Sequence, residues 1–472
     1  DRCSQIGLRN ASGVFNLDLM RTLELDGMVD LSLCVAEGAL ARTESRGSHA
    51  RTDFPARDDE QWLKHTMAYY TPEGPRLAYE PVTLGPVEPQ ERKYWEHNRK
   101  SYEFLSRLRN APPPARWLFN LYDRLQYISP FYPFRDLSKP TFTVLFLKRQ
   151  IRRGLCKSLV DYVRREPAPI LCTHFIPALA ADFHGLQRVF CVVTDTDINR
   201  VWVPDKPALS NITYLAPSRH AMMRLRQYGV SPDRIFRTGF PLPQALVGEG
   251  DNTVLKQNLA RRIPVLDPQR KFIENYGPLL EARLGKYGYT GDVTRPLTIT
   301  YMVGGAGAQR EIGIQIVQSL RKKLNAGQVR INLVAGIRLE VTNYFQEQLA
   351  AIGSPPGVEV IFAPDKFSYF EKIDGALATT DILWTKPSEM TFYAGLGMPV
   401  VISPPVGAHE IENQRWLEHI GSGIIQEDPA YVHEWLFYIL ESGKLAEAAW
   451  DGYVNAPSAG TDSIRELIFR EG

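Results

Sequence analysis

Residues 299–320 read "ITYMVGGAGAQREIGIQIVQSL", and this stretch decides the predicted fold of the second half of the chain. An apolar run leads into a turn that contains Gly304, Gly305 and Gly307, and apolar residues then recur at helical spacing. The pattern predicts a buried strand, a tight turn and an amphipathic helix. Glycines let a backbone approach a diphosphate closely, and a helix N-terminus adds unpaired N–H groups. The stretch therefore indicates either an anion-binding turn or a plain tight turn.

Outward from this stretch, short apolar runs alternate with amphipathic segments in two series. The first series runs from "PILCT" (169–173) to "RIFRTG" (234–239), and the second from "PLTITYMVGG" (296–305) to "MPVVISPP" (398–405). Such alternation indicates parallel sheets with crossover helices. We therefore predict an α/β protein with two Rossmann-like doubly wound domains, preceded by a small α-helical domain. The predicted boundaries are 1–92 for the helical domain, 93–245 for the first Rossmann-like domain, 246–295 for an insertion or linker and 296–472 for the second Rossmann-like domain.

Composition narrows the classes of function. Lys and Arg number 55 against 53 Asp and Glu, so the net charge of +2 gives no general basic field for a nucleic acid. The five cysteines are scattered without CxxC spacing, and no HExxH-like motif occurs, so we expect no disulfide framework and no metal. No apolar run approaches the roughly 18 residues of a membrane span. We expect a cytoplasmic protein, with attachment to the periphery of a membrane left open. Because the chain begins with Asp1 rather than Met, we expect a fragment or a processed end.

The first segment carries a family resemblance. Its matching stretches are "SGVFNLDLMRTLELDGMVDL" (12–31), "ALARTESRGSHARTDFPARDDEQWLKHT" (39–66) and "PRLAYEPVTL" (75–84). Residues 1–92 resemble the C-terminal domain of the succinate dehydrogenase and fumarate reductase flavoproteins. In that family the dinucleotide-binding glycines and the substrate-binding His and Arg residues lie upstream of this domain, and this region has no GxGxxG. FAD is therefore not expected, and the resemblance does not predict oxidoreductase activity for this chain alone.

Five basic residues of this segment are candidates for binding an anion such as a dicarboxylate: Arg42, Arg46, His49, Arg51 and Arg57. Clustered charges on a surface are more often structural than functional. We therefore favour the interpretation that these residues make polar contacts at helix ends and domain boundaries.

The rest of the chain carries a second resemblance. Its stretches are "CTHFIPALAADF" (172–183), "VVTDTDINRVWVP" (192–204), "APSRHAMMRLRQYGVSPDRIFRTGFPLP" (216–243) and the donor-side motifs given below. Residues 95–472 resemble GT-B glycosyltransferases of the monogalactosyldiacylglycerol synthase and lipid II-forming type. The resemblance implies transfer of a sugar from a UDP-sugar to an acceptor, with a lipid as one candidate. It also implies that the glycine turn holds the diphosphate of the donor, with no covalently bound cofactor.

The donor-side resemblance continues in "WTKPSEMTFYAGLGMPVVISPPVGAHEIENQRWLEHIGSGI" (384–424). It implies contacts with the nucleotide ribose and the sugar hydroxyls, for which carboxylates and amides are suited. Counting back from Pro399 places Phe392 where the family usually has a ribose-binding Glu, and Glu389 is the nearest substitute. Alternatively, Glu389 favours a helix N-terminus and Lys386 is a solvated turn residue. The residues carried over are Lys386, Ser388, Glu389, His409, Glu412, Asn413 and Gln414.

In the acceptor-side half, Thr173, His174, Asp195 and Asp197 directly follow predicted strands. They should lie at the carboxyl edge, where α/β sheets bind ligands. Sugar transfer with inversion needs a base near the attacking oxygen, and Asp195 or His174 could supply it. Asp195 could equally be a helix N-cap.

A further segment combines aromatic and basic residues. Amphipathic basic stretches bind anionic membrane surfaces, but a helix packed on the domain with a solvated basic face is the simpler alternative. The aromatic residues are Trp117, Phe119, Tyr122, Tyr127, Phe131, Tyr132 and Phe134, and the basic ones are Lys148, Arg149, Arg152 and Arg153.

The junction of the two resemblances leaves three hypotheses open. Glycosyltransferases of this type begin with a strand and a glycine-rich loop carrying a His that faces the acceptor, and here the flavoprotein-like segment precedes "KYWEHNRKSYEFLSRL" (93–108) instead. The chain is therefore a glycosyltransferase whose first unit has been replaced, an oxidoreductase fragment, or a catalytically silent fusion of the two. We favour the first.

Overall fold

A computed structural model shows the architecture, and the chain divides into two compact units, Asp1–Glu88 and Pro89–Gly472. We describe each unit by itself. The described residues are 17–46, 49–71, 74–82, 128, 136–289, 295–303, 307–405 and 408–470.

The first unit contains a long helix, a short helix and a hairpin. These are α1 (Leu17–Ala41), α2 (Asp59–Trp62), β1 (Lys64–Tyr69) and β2 (Arg76–Pro81). Asp58 caps α2, because its Oδ1 accepts from the backbone N–H groups of Glu60 and Gln61 at 3.0 Å. The two strands pair antiparallel from Lys64–Pro81 to Tyr69–Arg76. The helix α1 agrees with the predicted helical domain. The alternating apolar and polar residues of "PRLAYEPVTLGPV" (75–87) predict a short exposed strand, which agrees with β2, whereas β1 was not predicted.

The second unit begins, in its described part, with a four-stranded parallel sheet. Its strands β3 (Ile170–Cys172), β4 (Val189–Val192), β5 (Ile212–Ala216) and β6 (Ile235–Arg237) lie in chain order. The helices of this half are α3 (Phe142–Arg152), α4 (Lys157–Arg165), α5 (Phe175–Phe183) and α6 (Arg219–Gln227). Every residue of β4 and β5 is buried, as expected for continuous apolar runs in a parallel sheet.

A six-stranded parallel sheet follows. Its strands are β7 (Leu297–Met302), β8 (Val329–Gly336), β9 (Val358–Phe362), β10 (Ile382–Thr385), β11 (Val400–Ile402) and β12 (Gly423–Ile425), in the spatial order β12-β11-β10-β7-β8-β9. Together with the first sheet, this confirms the predicted α/β class. The short β12 was not predicted, because three residues after a glycine give too little pattern.

The segment between the sheets is part of the second core. Residues 246–295 were predicted to be a partly helical insertion or linker, and most of the segment forms α8 (Thr253–Leu266) and α9 (Lys271–Leu284), which follow the one-turn α7 (Gln244–Val247). Apolar residues of α8 and α9 pack in the same cluster as β7 and β8. The buried Arg262 donates to the backbone carbonyls of Thr380, Leu396 and Gly397 at 2.7–2.9 Å. These contacts make the segment a structural component of the second half.

The remaining helices of the second half complete its layers. They are α10 (Arg310–Ser319), α11 (Arg321–Asn325), α12 (Leu339–Ala351), α13 (Lys366–Thr379), α14 (Ala408–His419), α15 (Val432–Glu441), α16 (Lys444–Asn455) and α17 (Gly460–Arg470).

The two halves of the second unit are joined by two chain crossings. Residues 238–243 lead from the first sheet to the second half, and residues 456–459 lead back to α17. A Cβ built on Gly460 would lie 2.0 Å from the carbonyl oxygen of Phe240, so the crossings touch where only glycine fits. Ile464 of α17 then packs on Phe190 and Leu215 of the first sheet. The chain therefore passes twice between the halves beside the cleft that separates them.

Candidate functional site

The strand ends of the two parallel sheets meet at a shared cleft. Asn413 lies in α14, which follows β11, and its Oδ1 accepts from N and Oγ1 of Thr196, which follows β4, at 3.1 and 2.6 Å. Its Nδ2 donates to the carbonyl oxygen of Pro387, which follows β10, at 3.3 Å. Ligands of open α/β sheets bind outside the carboxyl ends of the strands. The cleft is therefore the candidate site.

The second sheet reverses its strand order beside this cleft. From β7, the chain adds β8 and β9 on one side and then returns to place β10, β11 and β12 on the other. Such a switch point opens a crevice between adjacent strand ends. The turns after β7 and β10 contain Gly307 and Lys386, respectively. The fold thus brings two stretches of the predicted donor site to the same place.

The turn after β7 requires glycine at one described position. Gly307 has a φ of +71°, and a Cβ there would lie 3.2 Å from Cγ2 of Val341. The Tyr301 hydroxyl donates to the carbonyl of Gln309 at 2.6 Å, and Nε2 of Gln309 donates to the carbonyl of Pro404 at 2.9 Å. These bonds fix the start of α10. Gly304 and Gly305 lie outside the described residues.

A lysine beside the switch point is paired with a buried carboxylate. Lys386 forms an ion pair with Glu410 of α14, and the side chain of Glu410 is almost completely buried. Lys386 is itself largely buried, so it is held in place rather than solvated. A fixed cation at this position could help to neutralise a bound diphosphate. The sequence analysis did not select Glu410, although it lies in the same "HEIEN" run as the predicted residues.

The other predicted donor residues surround the same turns. Ser388 is buried at the end of the turn after β10. Glu412 accepts from Arg415 at 2.6 Å, and Gln414 is half-buried on α14. Residues Glu389–Leu396, which directly precede the Gly397-Met398-Pro399 stretch, form a 3-10 helix. The side chains of Glu389 and His409 lie outside the described residues. Their roles, and that of the whole set, stay predictions.

On the acceptor side, Asp197 is the centre of a buried network. Its carboxylate accepts from Nε and Nη2 of Arg224 at 2.8 and 2.7 Å, and its Oδ2 lies 2.8 Å from Nε2 of His220. Burial by itself raises the pKa of Asp197, but the hydrogen bonds and charges of Arg224 and His220 outweigh it and lower the pKa below its usual range. Asp197 is therefore an ionised, structurally committed residue.

The two predicted catalytic residues follow neighbouring strands. His174 caps α5, where its Nδ1 accepts from the backbone N–H of Ile176 at 3.4 Å, and its ring stacks on Phe175 with centroids 4.3 Å apart. Desolvation lowers the pKa of His174, which favours the neutral ring. Because Nδ1 accepts, the hydrogen of the neutral ring is on Nε2. Asp195 is half-buried after β4 and engaged in a polar interaction.

Several residues that shape the cleft were not selected from the sequence: Thr196, His220, Arg224, Arg237 and Arg415. One signal was available, because His220 and Arg224 are four residues apart and therefore share a face of a helix that follows a strand. No local pattern identified the others.

The four predicted arginines of the first unit bond to that unit's own groups, whereas Nε2 of His49 is buried without a hydrogen-bond partner among the described residues. Arg42 and Arg46 both pair with the fully buried Glu44, and Arg51 pairs with Asp53 at 2.5 Å. Arg57 donates to Asp59 at 2.8 Å. Burial raises the pKa of Glu44, but its bonds to Arg46, Asp58 and Arg42 outweigh this and lower it. These contacts agree with the structural interpretation of the arginines rather than with a dicarboxylate site.

Comparison with known proteins confirms the resemblance of the first segment. Residues 1–94 match the family described as fumarate reductase flavoprotein C-term. The chain is 45% identical over 95 residues to the fumarate reductase flavoprotein subunit of Mycobacterium tuberculosis, which covers 20% of this chain and 16% of that protein. A succinate dehydrogenase flavoprotein subunit from Rickettsia conorii is 46% identical over 80 residues, covering 17% and 13%. The chain thus spans about one-sixth or less of the length of these relatives.

Solved structures with a similar arrangement cover most of the chain at low identity. A UDP-GlcNAc 2-epimerase from Neisseria meningitidis bound to UDP-GlcNAc is 13% identical, with a TM-score of 0.42, covering 70% of this chain and 83% of that one. MurG from Acinetobacter baumannii is 15% identical, with a TM-score of 0.38 and coverages of 68% and 78%. The glycosyltransferase SnogD from Streptomyces nogalater is 14% identical, with a TM-score of 0.38 and coverages of 73% and 85%.

None of the helices in the described ranges is long and apolar enough to cross a membrane. Within the same ranges, no group of three or more His, Cys, Asp and Glu side chains is arranged to hold a metal ion.

Proposed function

We propose that the second unit is a glycosyltransferase that transfers a sugar from a UDP-sugar to an acceptor. The observation that carries the proposal is the switch point, where β7 and β10 pair and the turns after them contain Gly307 and Lys386. A diphosphate donor needs close backbone approach, a helix N-terminus and a fixed cation. We assign these roles to the turn after β7, to the N-terminus of α10 and to Lys386, which Glu410 holds in place.

In this proposal the donor residues divide by position. The turn containing Gly304, Gly305 and Gly307 would hold the diphosphate together with Lys386. The ribose and the sugar hydroxyls would contact a second set, which comprises Ser388, Glu389, His409, Glu412, Asn413 and Gln414. The position of the Asn413 side chain would depend on the distance between the two halves, because its Oδ1 accepts hydrogen bonds from Thr196 in the facing half. The proposal involves no covalently bound cofactor and no FAD.

Of the two candidate bases, we favour Asp195. A carboxylate can accept a proton from an attacking hydroxyl directly. His174 is less suited, because its Nδ1 already accepts a backbone hydrogen bond and its Nε2 carries the hydrogen of the neutral ring. Asp195 also lies one residue from Thr196, which contacts the donor-side Asn413. Asp195 thus neighbours a residue of the junction along the chain, and it already takes part in a polar interaction of its own.

We further propose that the acceptor is presented at a membrane surface. One face of α3 exposes Phe142, Leu145 and Phe146, and the same face continues with Arg149 and Arg152. Apolar side chains followed by arginines suit the boundary of an anionic membrane. Lys148 is not part of this face, since it pairs with Asp205 at 2.5 Å. The predicted aromatic residues Trp117, Phe119, Tyr122, Tyr127, Phe131, Tyr132 and Phe134 lie outside the described residues.

The donor site is tested by calorimetric titration of the full chain with UDP. We expect binding that Lys386→Gln weakens by about tenfold or more, because a charge-assisted contact to a phosphate is lost. The matched control is Lys372→Gln, a lysine of the same half whose Nζ bonds the carbonyl of Phe362 at the edge of the sheet. Equal weakening by both variants, or no UDP binding by the folded wild-type chain, would contradict the donor site.

The transfer step is tested with a UDP-sugar and a mixture of membrane lipids as acceptors. Asp195→Asn should abolish acceptor-dependent release of UDP while leaving UDP binding unchanged, because the amide cannot take the proton. His174→Gln should retain transfer. If Asp195→Asn remains active and His174→Gln does not, the base is His174. If the wild type binds UDP but transfers no sugar, the catalytically silent alternative replaces the proposal.

The first unit carries no part of this activity in our proposal. Its matched relatives are far longer than the matched segment, and its arginines are paired internally. We propose that the chain joins a flavoprotein-type C-terminal segment, residues 1–92, to an acceptor-side half, residues 93–245, and a donor-side half, residues 296–472, with 246–295 packed on the latter. Flavin absorbance in the purified chain would revive the oxidoreductase alternative.

A further inference from the structure

A cavity lies in the cleft between the two halves of the second unit. Its volume is about 750 Å³, which is within the range of sites for small molecules. The first half lines it with residues that follow β4 and β5 and with Arg237, the last residue of β6, and the second half with α14 and with Asn455 and Pro457 beside the chain crossing. Glu412 of the proposed donor set is among the lining residues, whereas Gly307 and Lys386 are not.

The cavity carries positive charge that the surrounding carboxylates do not balance. Two carboxylates line it, and both are committed: Asp197 is held by Arg224, and Glu412 accepts from Arg415 at 2.6 Å. Arg219 and Arg237 also line it, and no carboxylate of the described residues pairs with either. Arg219, at the start of α6, and Arg237, the last residue of β6, are exposed residues that line the same cavity.

Two further features of the lining add to this charge pattern. The nine-residue helix α6 begins at the cavity with Arg219, so its N-terminal N–H groups add partial positive charge. On the opposite wall, Trp416 presents an aromatic surface and is fixed by an edge-to-face contact with Phe240, with centroids 5.5 Å apart. The cavity thus combines a cationic wall with an apolar one.

We propose that this cavity binds a phosphorylated small molecule, with the phosphate held by Arg219 and Arg237 and the body of the molecule against Trp416. Arginine forks match phosphate oxygens in bidentate geometry, which lysine does not. The volume exceeds what a lone phosphate needs, so an organic phosphate fits better than the free ion. The inference rests on the charges of the cavity and does not require the donor site.

The test is calorimetric titration of the full chain with four probes: glucose 6-phosphate, glucose, inorganic phosphate and UDP. We expect glucose 6-phosphate to bind, glucose not to bind, and inorganic phosphate to bind more weakly. Arg219→Gln and Arg237→Gln should each weaken glucose 6-phosphate binding by about tenfold or more, and Arg237→Lys should restore only part of it. The control is Arg226→Gln, an exposed arginine of the same helix that does not line the cavity.

The variants also separate this site from the donor site. Lys386→Gln should leave glucose 6-phosphate binding unchanged, and Arg237→Gln should leave UDP binding unchanged. If inorganic phosphate binds as tightly as glucose 6-phosphate, the source is the free ion and the organic part of the proposal is overturned. If no phosphate probe binds, or if Lys386→Gln and the arginine variants weaken the same probe equally, the separate site does not exist.

Discussion

Arginines serve opposite purposes in the two units of this chain. In the first unit, Arg42 and Arg46 surround the fully buried Glu44, and Arg46 also reaches Asp59 at 2.7 Å. In the cleft of the second unit, Arg219 and Arg237 line a cavity without a carboxylate partner among the described residues. The charges of the first arrangement are paired within its own unit, whereas Arg219 and Arg237 have no ion-pair partner among the described residues.

This difference distinguishes charged residues that stabilise the fold from charged residues that are available to bind a ligand. A buried carboxylate such as Glu44 costs free energy unless its partners stay in place, so its arginines are required for folding. Arg219 and Arg237 are exposed, so their charges are hydrated and we expect them to contribute little to folding. An anion bound in the cavity is the role that we propose for them. Asp197 and Arg224 show that the second unit contains the first kind of arrangement as well.

The largest expected loss of stability comes from removing the carboxylate that pairs with the buried Arg224 in the second unit. Asp197→Ala leaves the buried Arg224 without its carboxylate, and we expect the free energy of unfolding to fall by about 3–5 kcal/mol. Urea unfolding followed by tryptophan fluorescence measures it. Asp233→Ala is the control, because its carboxylate is exposed and lies 3.9 Å from Arg234. Similar losses in both variants would show that the Asp197 network does not stabilise the fold.

A smaller effect is expected at the corresponding carboxylate of the first unit. Glu44→Gln removes the charge shared by Arg42 and Arg46, but these side chains reach solvent and can rehydrate. We expect a local loss of about 2 kcal/mol. Hydrogen exchange of peptides covering residues 42–64 in the full chain measures it. The expected result is faster exchange in these peptides and unchanged exchange in peptides that cover β7. Unchanged exchange would contradict the structural interpretation of the arginines.

The pH dependence should report the same network. The pKa of Asp197 is lowered in the folded protein, so its stabilising contribution is complete above its unfolded pKa of about 3.9 and is lost as the pH falls through the folded value. The wild type should therefore lose more stability than Asp197→Asn between about pH 6 and about pH 3. Denaturant midpoints at a series of pH values test this. Parallel curves for the two proteins would exclude Asp197 from acid unfolding.

The smallest change in the free energy of unfolding is expected for the two arginines that line the cavity. Arg219→Gln and Arg237→Gln should change the free energy of unfolding by no more than about 0.5 kcal/mol, because both residues are exposed and neither side chain has an ion-pair partner among the described residues. The measurement is the same urea unfolding, without ligand. Losses of the size expected for Asp197→Ala would mean that these arginines are structural, and the distinction between the two kinds of charge would fail.

Local pattern predicted much of the fold. The continuous apolar runs of β4, β5 and β7 were correctly interpreted as buried parallel strands, because burial on both faces leaves no alternation. The pattern of residues 246–295 predicted a charged, partly helical insertion, and α8 and α9 form there. Their apolar faces belong to the second core, a contact that the local pattern did not indicate.

The features of the candidate site likewise fall into those that the local sequence indicates and those that only the folded contacts reveal. Local sequence indicated the residues after each strand and the resemblance of the first segment, because strand endings and short motifs are local properties. The glycine turn stays a prediction, since Gly304 and Gly305 lie outside the described residues. Only the tertiary structure decided that Asn413 bonds Thr196 across 217 positions of the chain, that Lys386 pairs with Glu410, and which arginines face the cavity unpaired. The reason is physical: these contacts depend on which strand ends fold opposite one another, and no local pattern contains that information.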